Sequence, residues 1–184
     1  RLTGGELWEP RNYDNRFDGP MTLATALKKS KNLVSIRVMQ AIGAHYAQKF
    51  VARFGFPPSR TPAQLTTALG AGGATPWEML AGYCVFANGG FRVKPYLIDR
   101  VTDQDGNIVM KVHNPAAGEE QIRALDERNA FVMHTLLNGV IREGTGRRAY
   151  MALKRPDMGG KTGTSNNSYD AWFAGYAGRL AAVG

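Results

Sequence analysis

Gly159-Gly160-Lys161-Thr162-Gly163-Thr164, then a polar turn from Ser165 to Asp170, then Ala171-Trp172-Phe173-Ala174-Gly175-Tyr176: this stretch decides how the chain folds. A second tight turn at Gly178 leads on into Leu180 to Val183. Short runs joined by tight turns predict three consecutive strands in an antiparallel meander. Lys161-Thr162-Gly163-Thr164 falls on the first of them, where a lysine offers a point cation for a carboxylate. The hydroxyls of Thr162 and Thr164 can share that anion. Gly163 omits a side chain where a peptide-like ligand would press on the backbone, and the N–H groups of an edge strand can pair with such a ligand.

Two nucleotide-binding readings fail on position. Gly160-Lys161-Thr162 ends like a phosphate-binding loop, but the first glycine of that loop would fall on Arg155, and a strand rather than a helix follows. Gly70-Ala71-Gly72-Gly73 has no strand before it and puts Thr75 where a dinucleotide fingerprint needs its third glycine. It reads as a flexible entry to the next helix.

Upstream of the meander the pattern is largely helical. Residues 1–20 are irregular, broken by Pro10, Asn12, Asn15, Gly19 and Pro20, with Trp8, Tyr13 and Phe17 as expected anchors. Leu23, Ala26 and Leu27 begin a helix whose last turn holds Lys28 and Lys29, where cations suit the dipole. Ser30-Lys31-Asn32 interrupts it, and taken alone reads as a helix cap. Val34, Val38 and Ile42 then share one face of a helix stopped by Gly43. A further helix over 44–54 carries Tyr46, Phe50 and Phe54. Thr75-Pro76-Trp77-Glu78 is a capping box with proline at the first helical position, predicting a helix to Ala87 that packs Cys84 in its core. Tyr96 to Val101 and Ile108 to Val112 flank a turn at Asp103 to Asn107 as a β-hairpin. Asp126 opens a helix whose apolar positions Phe131, Val132, Leu136, Val140 and Ile141 keep the helical period, and which ends at Gly144-Thr145-Gly146.

Composition sets outer bounds. The 184 residues, 43% hydrophobic and 21% charged, suit one domain or most of one. No apolar run reaches the roughly 20 residues of a membrane-spanning helix, and no secretory signal is legible at the start. One cysteine excludes an internal disulfide and supplies no metal cluster. The net charge of +8 comes from scattered basic residues without interleaved aromatics, which points to a solvated surface and away from nucleic acid.

Lys161-Thr162-Gly163 and Ser30-Lys31-Asn32 together match the Lys-Thr-Gly and Ser-x-Asn elements of penicillin-binding proteins and serine β-lactamases. The surrounding text resembles the class A (bifunctional) penicillin-binding proteins of the 1a type. Trp8 to Asp14, Gly19 to Leu23, Thr75 to Met79, Phe86 to Gly90, Arg142 to Ala149 and Asp170 to Tyr176 carry that resemblance. It implies an α/β (α+β) transpeptidase fold of the serine β-lactamase type: an antiparallel sheet flanked by helices, beside an all-helical lobe. It also implies a peptidoglycan D,D-transpeptidase acting through a serine acyl-enzyme, with no cofactor or metal. By the same resemblance Lys161, Thr162 and Thr164 hold a terminal carboxylate, with Gly163 between them. Ser30 relays a proton, Asn32 bonds the substrate amide, and both face one cleft with Lys161. The partners implied are peptidoglycan stem peptides, β-lactam antibiotics and the rest of the same protein.

No Ser-x-x-Lys element precedes Ser30: Thr25-Ala26-Leu27-Lys28 has the spacing, but lies too close to it. Residues 1–184 are therefore expected to be part of a transpeptidase domain, lacking the nucleophile segment, the final helix and the glycosyltransferase domain. The implied location is the periplasmic face of the bacterial inner membrane, through an anchor outside this chain. A β-lactam-hydrolysing or sensing relative, and a non-catalytic basic module binding wall polymer or nucleic acid, are the alternative readings.

Overall fold

The computed structural model describes residues 8–113, 123–165 and 169–184. The expectations for residues 1–7 and for the middle of the Ser165–Asp170 turn lie outside them.

Three helices come first: α1 (Leu23–Lys28), α2 (Asn32–Ile42) and α3 (Ala44–Ala52), followed by a single 3₁₀ turn, Leu65–Leu69. Gly43, at φ +87°, makes the corner between α2 and α3. α4 (Pro76–Ala87) begins where the capping box puts it. Thr75 Oγ1 accepts from the Glu78 N–H at 3.2 Å, and the Glu78 carboxylate accepts from the Thr75 N–H at 2.8 Å. A short hairpin, β1 (Arg100–Thr102) and β2 (Ile108–Lys111), pairs antiparallel with an irregularity at Val101/Thr102. Its first strand is shorter than the alternation suggested.

α5 (Glu127–Glu143) is the longest helix, with Asp126 Oδ1 accepting from the Arg128 N–H at 3.0 Å as its cap. α6 (Arg147–Leu153) follows after Gly146 and was not foreseen in the sequence. The meander is as expected: β3 (Gly159–Thr164), β4 (Ala171–Ala177) and β5 (Leu180–Val183) pair in that order, all antiparallel. α4 and α5 pack on each other and on this sheet, α5 mainly against β3 and α4 against β4 and β5. Gly159 faces Tyr176 in the ladder, and a Cβ there would stand 2.7 Å from the Tyr176 ring. The glycine lets that ring cross β3 and put its hydroxyl 3.1 Å from His134 Nδ1 on α5.

The core runs from the end of α3 through α4 to the start of α5. Phe54, Val85, Ala124, Leu125 and Ala130 are buried together, with Phe50, Phe56 and Phe86 packed against them. Tyr46, Phe50, Phe54 and Phe86 form a ladder with ring centroids 6.0, 5.9 and 5.4 Å apart, within the range of favourable aromatic pairs. Val140 and Ile141 on α5 are fully buried, each worth about 1.5–3 kcal/mol of transfer free energy.

One expectation is corrected, and two apolar stripes prove only partly buried. Tyr13 and Phe17 are 76% and 79% exposed and anchor nothing; the buried residue of that segment is Asn12, held by hydrogen bonds. On α2, Val38 and Ile42 face outward and Ile36 is the buried side chain. On α5, Phe131 is 70% exposed and Val132 is also exposed, because the helix packs through Ala130, Leu137, Val140 and Ile141. Of the apolar positions expected on α5, Val140 and Ile141 are fully buried and Leu136 is half-buried, so only its N-terminal pair lies off the packed stripe.

α1 docks on the far end of α5. Lys28 pairs with Glu143 at 2.5 Å, and the Lys28 carbonyl accepts from the Thr145 N–H at 3.2 Å. A Cβ on Gly144 would lie 2.4 Å from the Lys28 carbonyl and 2.9 Å from that of Val140, both backbone atoms that cannot swing aside. Gly144→Ala should therefore destabilise the protein by about 1–3 kcal/mol in urea unfolding. An unchanged midpoint would show that this contact is loose.

Candidate active site

The end of α1 carries the first candidate side chain, Ser30. The Ser30 N–H donates to Leu27 O at 3.1 Å and the Lys31 N–H to Ala26 O at 2.9 Å, the paired bonds of a Schellman termination. Ser30 stands where such turns usually have glycine, at φ +53°. A residue with a Cβ held there costs roughly 1–2 kcal/mol. Its hydroxyl caps neither helix; it accepts from Lys161 Nζ at 2.8 Å.

Lys31 is the N-cap of α2 but gives it no side-chain bond. Asn12 does so from the preceding loop, its Oδ1 accepting from the Leu33 N–H at 3.2 Å while its Nδ2 donates to Arg16 O at 2.7 Å. Asn32 commits one amide proton to Arg11 O at 2.9 Å. The Lys31 side chain, only 5% exposed, places its ammonium 2.6 Å from Asp14 and 2.7 Å from Asp18. Its hydrogen bonds to Asp14 and then Asp18 raise its pKa above the usual lysine value, and the Lys31 bond holds Asp14 below the usual carboxylate value. A raised lysine and a lowered carboxylate stabilise the fold across neutral pH. The tie is released as acid protonates Asp14, or as alkali deprotonates Lys31.

β3 supplies the opposite wall. Lys161 is half-buried, and burial lowers its pKa. Two of its three ammonium donors are spent, on Ser30 Oγ and on Thr162 O, each at 2.8 Å. Among the described residues no carboxylate pairs with it. It is thus a partly desolvated cation with a donor to spare and no counter-ion among those residues. On a strand Thr162 and Thr164 project to one face and the Lys161 stem leaves from the other, but its ammonium turns back onto the strand at the Thr162 carbonyl. Thr162 Oγ1 lies 2.6 Å from Thr145 Oγ1, at the α5–α6 junction. Past Gly163 and Thr164 the strand borders an open, mainly apolar cleft of about 600 Å³, lined by Met39, Val51 and Leu69 of the helical lobe and by Trp172. Gly163 is exposed, and a Cβ there would meet only Trp172 Cβ at an ordinary 3.5 Å. Nothing described in the chain itself demands glycine at that position.

Ser30 and Lys161 are thus brought into direct contact, as the sequence reading expected. Thr162, Gly163 and Thr164 continue the same strand, and Asn32 opens α2 beside the turn. Asn12, Asp14, Asp18 and Lys31, which fix that turn, went unrecognised. So did Thr145, which carried no signal beyond its place in the Arg142–Ala149 run. No three His, Cys, Asp or Glu side chains converge on a metal position among the described residues.

The family model for the penicillin binding protein transpeptidase domain matches residues 2–181. The chain belongs to that family. It is 47% identical over 172 residues to penicillin-binding protein 1A of Neisseria gonorrhoeae, covering 94% of this chain and 21% of that protein. The crystal structure of penicillin-binding protein 1A from Haemophilus influenzae superposes on the whole chain with a TM-score of 0.90 at 33% identity, and the chain covers 32% of it. Penicillin-binding protein A of Mycobacterium tuberculosis, solved as an imipenem acyl-enzyme complex, shares the fold at a TM-score of 0.76 and 19% identity; 98% of this chain and 45% of that one align. The chain thus spans about a fifth of the length of the curated relative, and its antiparallel sheet with packed helices is the penicillin-binding transpeptidase fold.

Burial disfavours the charged form of Lys161, so its charge is lost at a lower pH than for a free lysine. A bound anion should reverse this and raise the pKa. Nitrogen-detected NMR of Lys161 in the full-length protein should show an amine titrating below the ordinary lysine range, moving upward once a penicillin is bound. A titration that ignores the ligand would separate Lys161 from the anion site.

Proposed function

We propose that this chain forms one side of the active site of a peptidoglycan D,D-transpeptidase, and that Lys161, Thr162 and Thr164 receive the terminal carboxylate of a D-alanyl-D-alanine stem peptide. The observation that carries this reading is the Lys161 ammonium, partly desolvated, bonded to Ser30 and without a carboxylate partner among the described residues. Such a cation gains most from an incoming anion. The exposed Gly163, whose surroundings leave room for a side chain, adds support, since a ligand strand along β3 would need that space.

The attacking serine is supplied by a part of the protein outside these 184 residues. Its oxygen bonds to the carbonyl carbon of the penultimate D-alanine, and the peptide bond to the terminal D-alanine breaks. The proton given up by the attacking hydroxyl is relayed through Ser30 to the departing amine. The Thr164 N–H supplies one donor to the oxyanion, with the serine's own N–H as the other. Asn32 has a second amide proton for the substrate's amide carbonyl. An amine of a neighbouring stem then takes the acyl group to make the cross-link. Water in its place gives the carboxypeptidase reaction. β-Lactams enter the same site as carboxylate-bearing acylating agents, and the site works at the periplasmic face of the inner membrane.

Lys161→Ala in the full-length protein should slow acylation by a penicillin at least tenfold, since a charge-assisted hydrogen bond is worth about 1.5–3 kcal/mol. Stopped-flow acylation at the wild-type rate would remove Lys161 from the site.

A further inference from the structure

Thr145 touches both walls of the cleft. Its backbone N–H donates to Lys28 O at 3.2 Å, in the last turn of α1 just before Ser30. Its side-chain oxygen lies 2.6 Å from Thr162 Oγ1 on β3. Thr162 is also held from the other side, its carbonyl accepting from Lys161 Nζ. One exposed residue therefore links the helix end that presents Ser30 to the strand that presents the threonine hydroxyls.

We infer that Thr145 is a positioning residue for the anion subsite: it donates its hydroxyl proton to Thr162, so that Thr162 must turn its own proton toward the substrate carboxylate. This rests on the transpeptidase reading above, in which Thr162 meets that carboxylate. The pair holds two hydroxyl protons, and the bond between them uses one. If Thr162 donated to Thr145, an arriving carboxylate would meet the lone pairs of the Thr162 oxygen. If Thr145 donates, the Thr162 proton is left over and faces the anion. A carboxylate selects the second arrangement, and a short chain of hydroxyls ending on an anion is strengthened by mutual polarisation. The separation of 2.6 Å is already at the short end for hydroxyl pairs, so the two oxygens need no movement to relay this preference. The backbone tie to Lys28 fixes where the donor sits.

The role is separable from that of a plain structural clasp. Valine keeps the shape of threonine and the N–H bond to Lys28 while removing the hydroxyl. Second-order acylation rates are compared in the full-length protein for a penicillin with its free carboxylate and for its uncharged methyl ester, with melting temperature checked for each variant. Thr145→Val should slow the free acid roughly tenfold and leave the ester within about twofold of wild type, and Thr145→Ser should restore the acid rate. In a Thr162→Val background, Thr145→Val should cost nothing further, because its effect passes through the Thr162 hydroxyl. Equal slowing of acid and ester, or additive losses in the double variant, would overturn the proposal and leave Thr145 as packing alone. Unchanged acid acylation by Thr145→Val while Lys161→Ala slows it would overturn the proposal but keep the transpeptidase reading. Unchanged acylation in both variants would remove the two together.

Discussion

Lys28 ends α1 with its carbonyl against Gly144 and on the N–H of Thr145, and the geometry of the cleft depends on that contact. α5 carries α1 at its C-terminal end and β3 along its length. The two walls of the site, distant in sequence, are therefore set by one helix. The ion pair of Lys28 with Glu143 lies over the same junction. It is partly exposed and contributes little energy of its own. Close approach does the positioning, and it is possible because residue 144 has no side chain. From that seat the chain needs only one turn to bring Ser30 onto Lys161.

That turn is held in a conformation that serine does not favour. The cost of a left-handed Ser30 is offset from outside the helix pair, by the segment from Arg11 to Asp18. Asn12 caps α2 and Arg11 accepts from Asn32. Asp14 and Asp18 clamp the buried Lys31 ammonium near the positive end of the same helix. Two lysines in the site thus have opposite electrostatic roles. Lys31 is saturated with carboxylates and serves the fold; Lys161 has none among the described residues. A glycine at position 30 would relax the turn but would remove the hydroxyl on which Lys161 is held.

What the sequence made legible follows a physical division. Where bonds are local, the reading was sound: the Thr75–Glu78 capping box, the helix it starts, and the three strands around Lys161-Thr162-Gly163-Thr164 appear where their residues put them. Where the outcome depends on what packs against a residue, the pattern was not enough. α5 bears two adjacent apolar stripes, and periodicity alone does not say that Leu137 and Val140 face the sheet while Phe131 and Val132 do not. Tyr13 and Phe17 looked like anchors because they are aromatic, yet the segment is fastened by the amide of Asn12. The pairing of Ser30 with Lys161 was readable because two short motifs stand in the order that the resemblance implies. The contact of Thr145 with Thr162 was not, since it exists only once the end of α5 is brought onto β3.

The central claim is that the uncompensated cation at Lys161, with the hydroxyls of Thr162 and Thr164, waits for a carboxylate. A crystal structure of the full-length protein acylated by a penicillin tests it most directly. The account predicts the penicillin carboxylate at about 2.7–3.2 Å from these hydroxyls and beside the Lys161 ammonium, with the Lys161 to Ser30 bond retained. A carboxylate turned to solvent, or held by another group of cations while Lys161 keeps only Ser30 and Thr162, would contradict it.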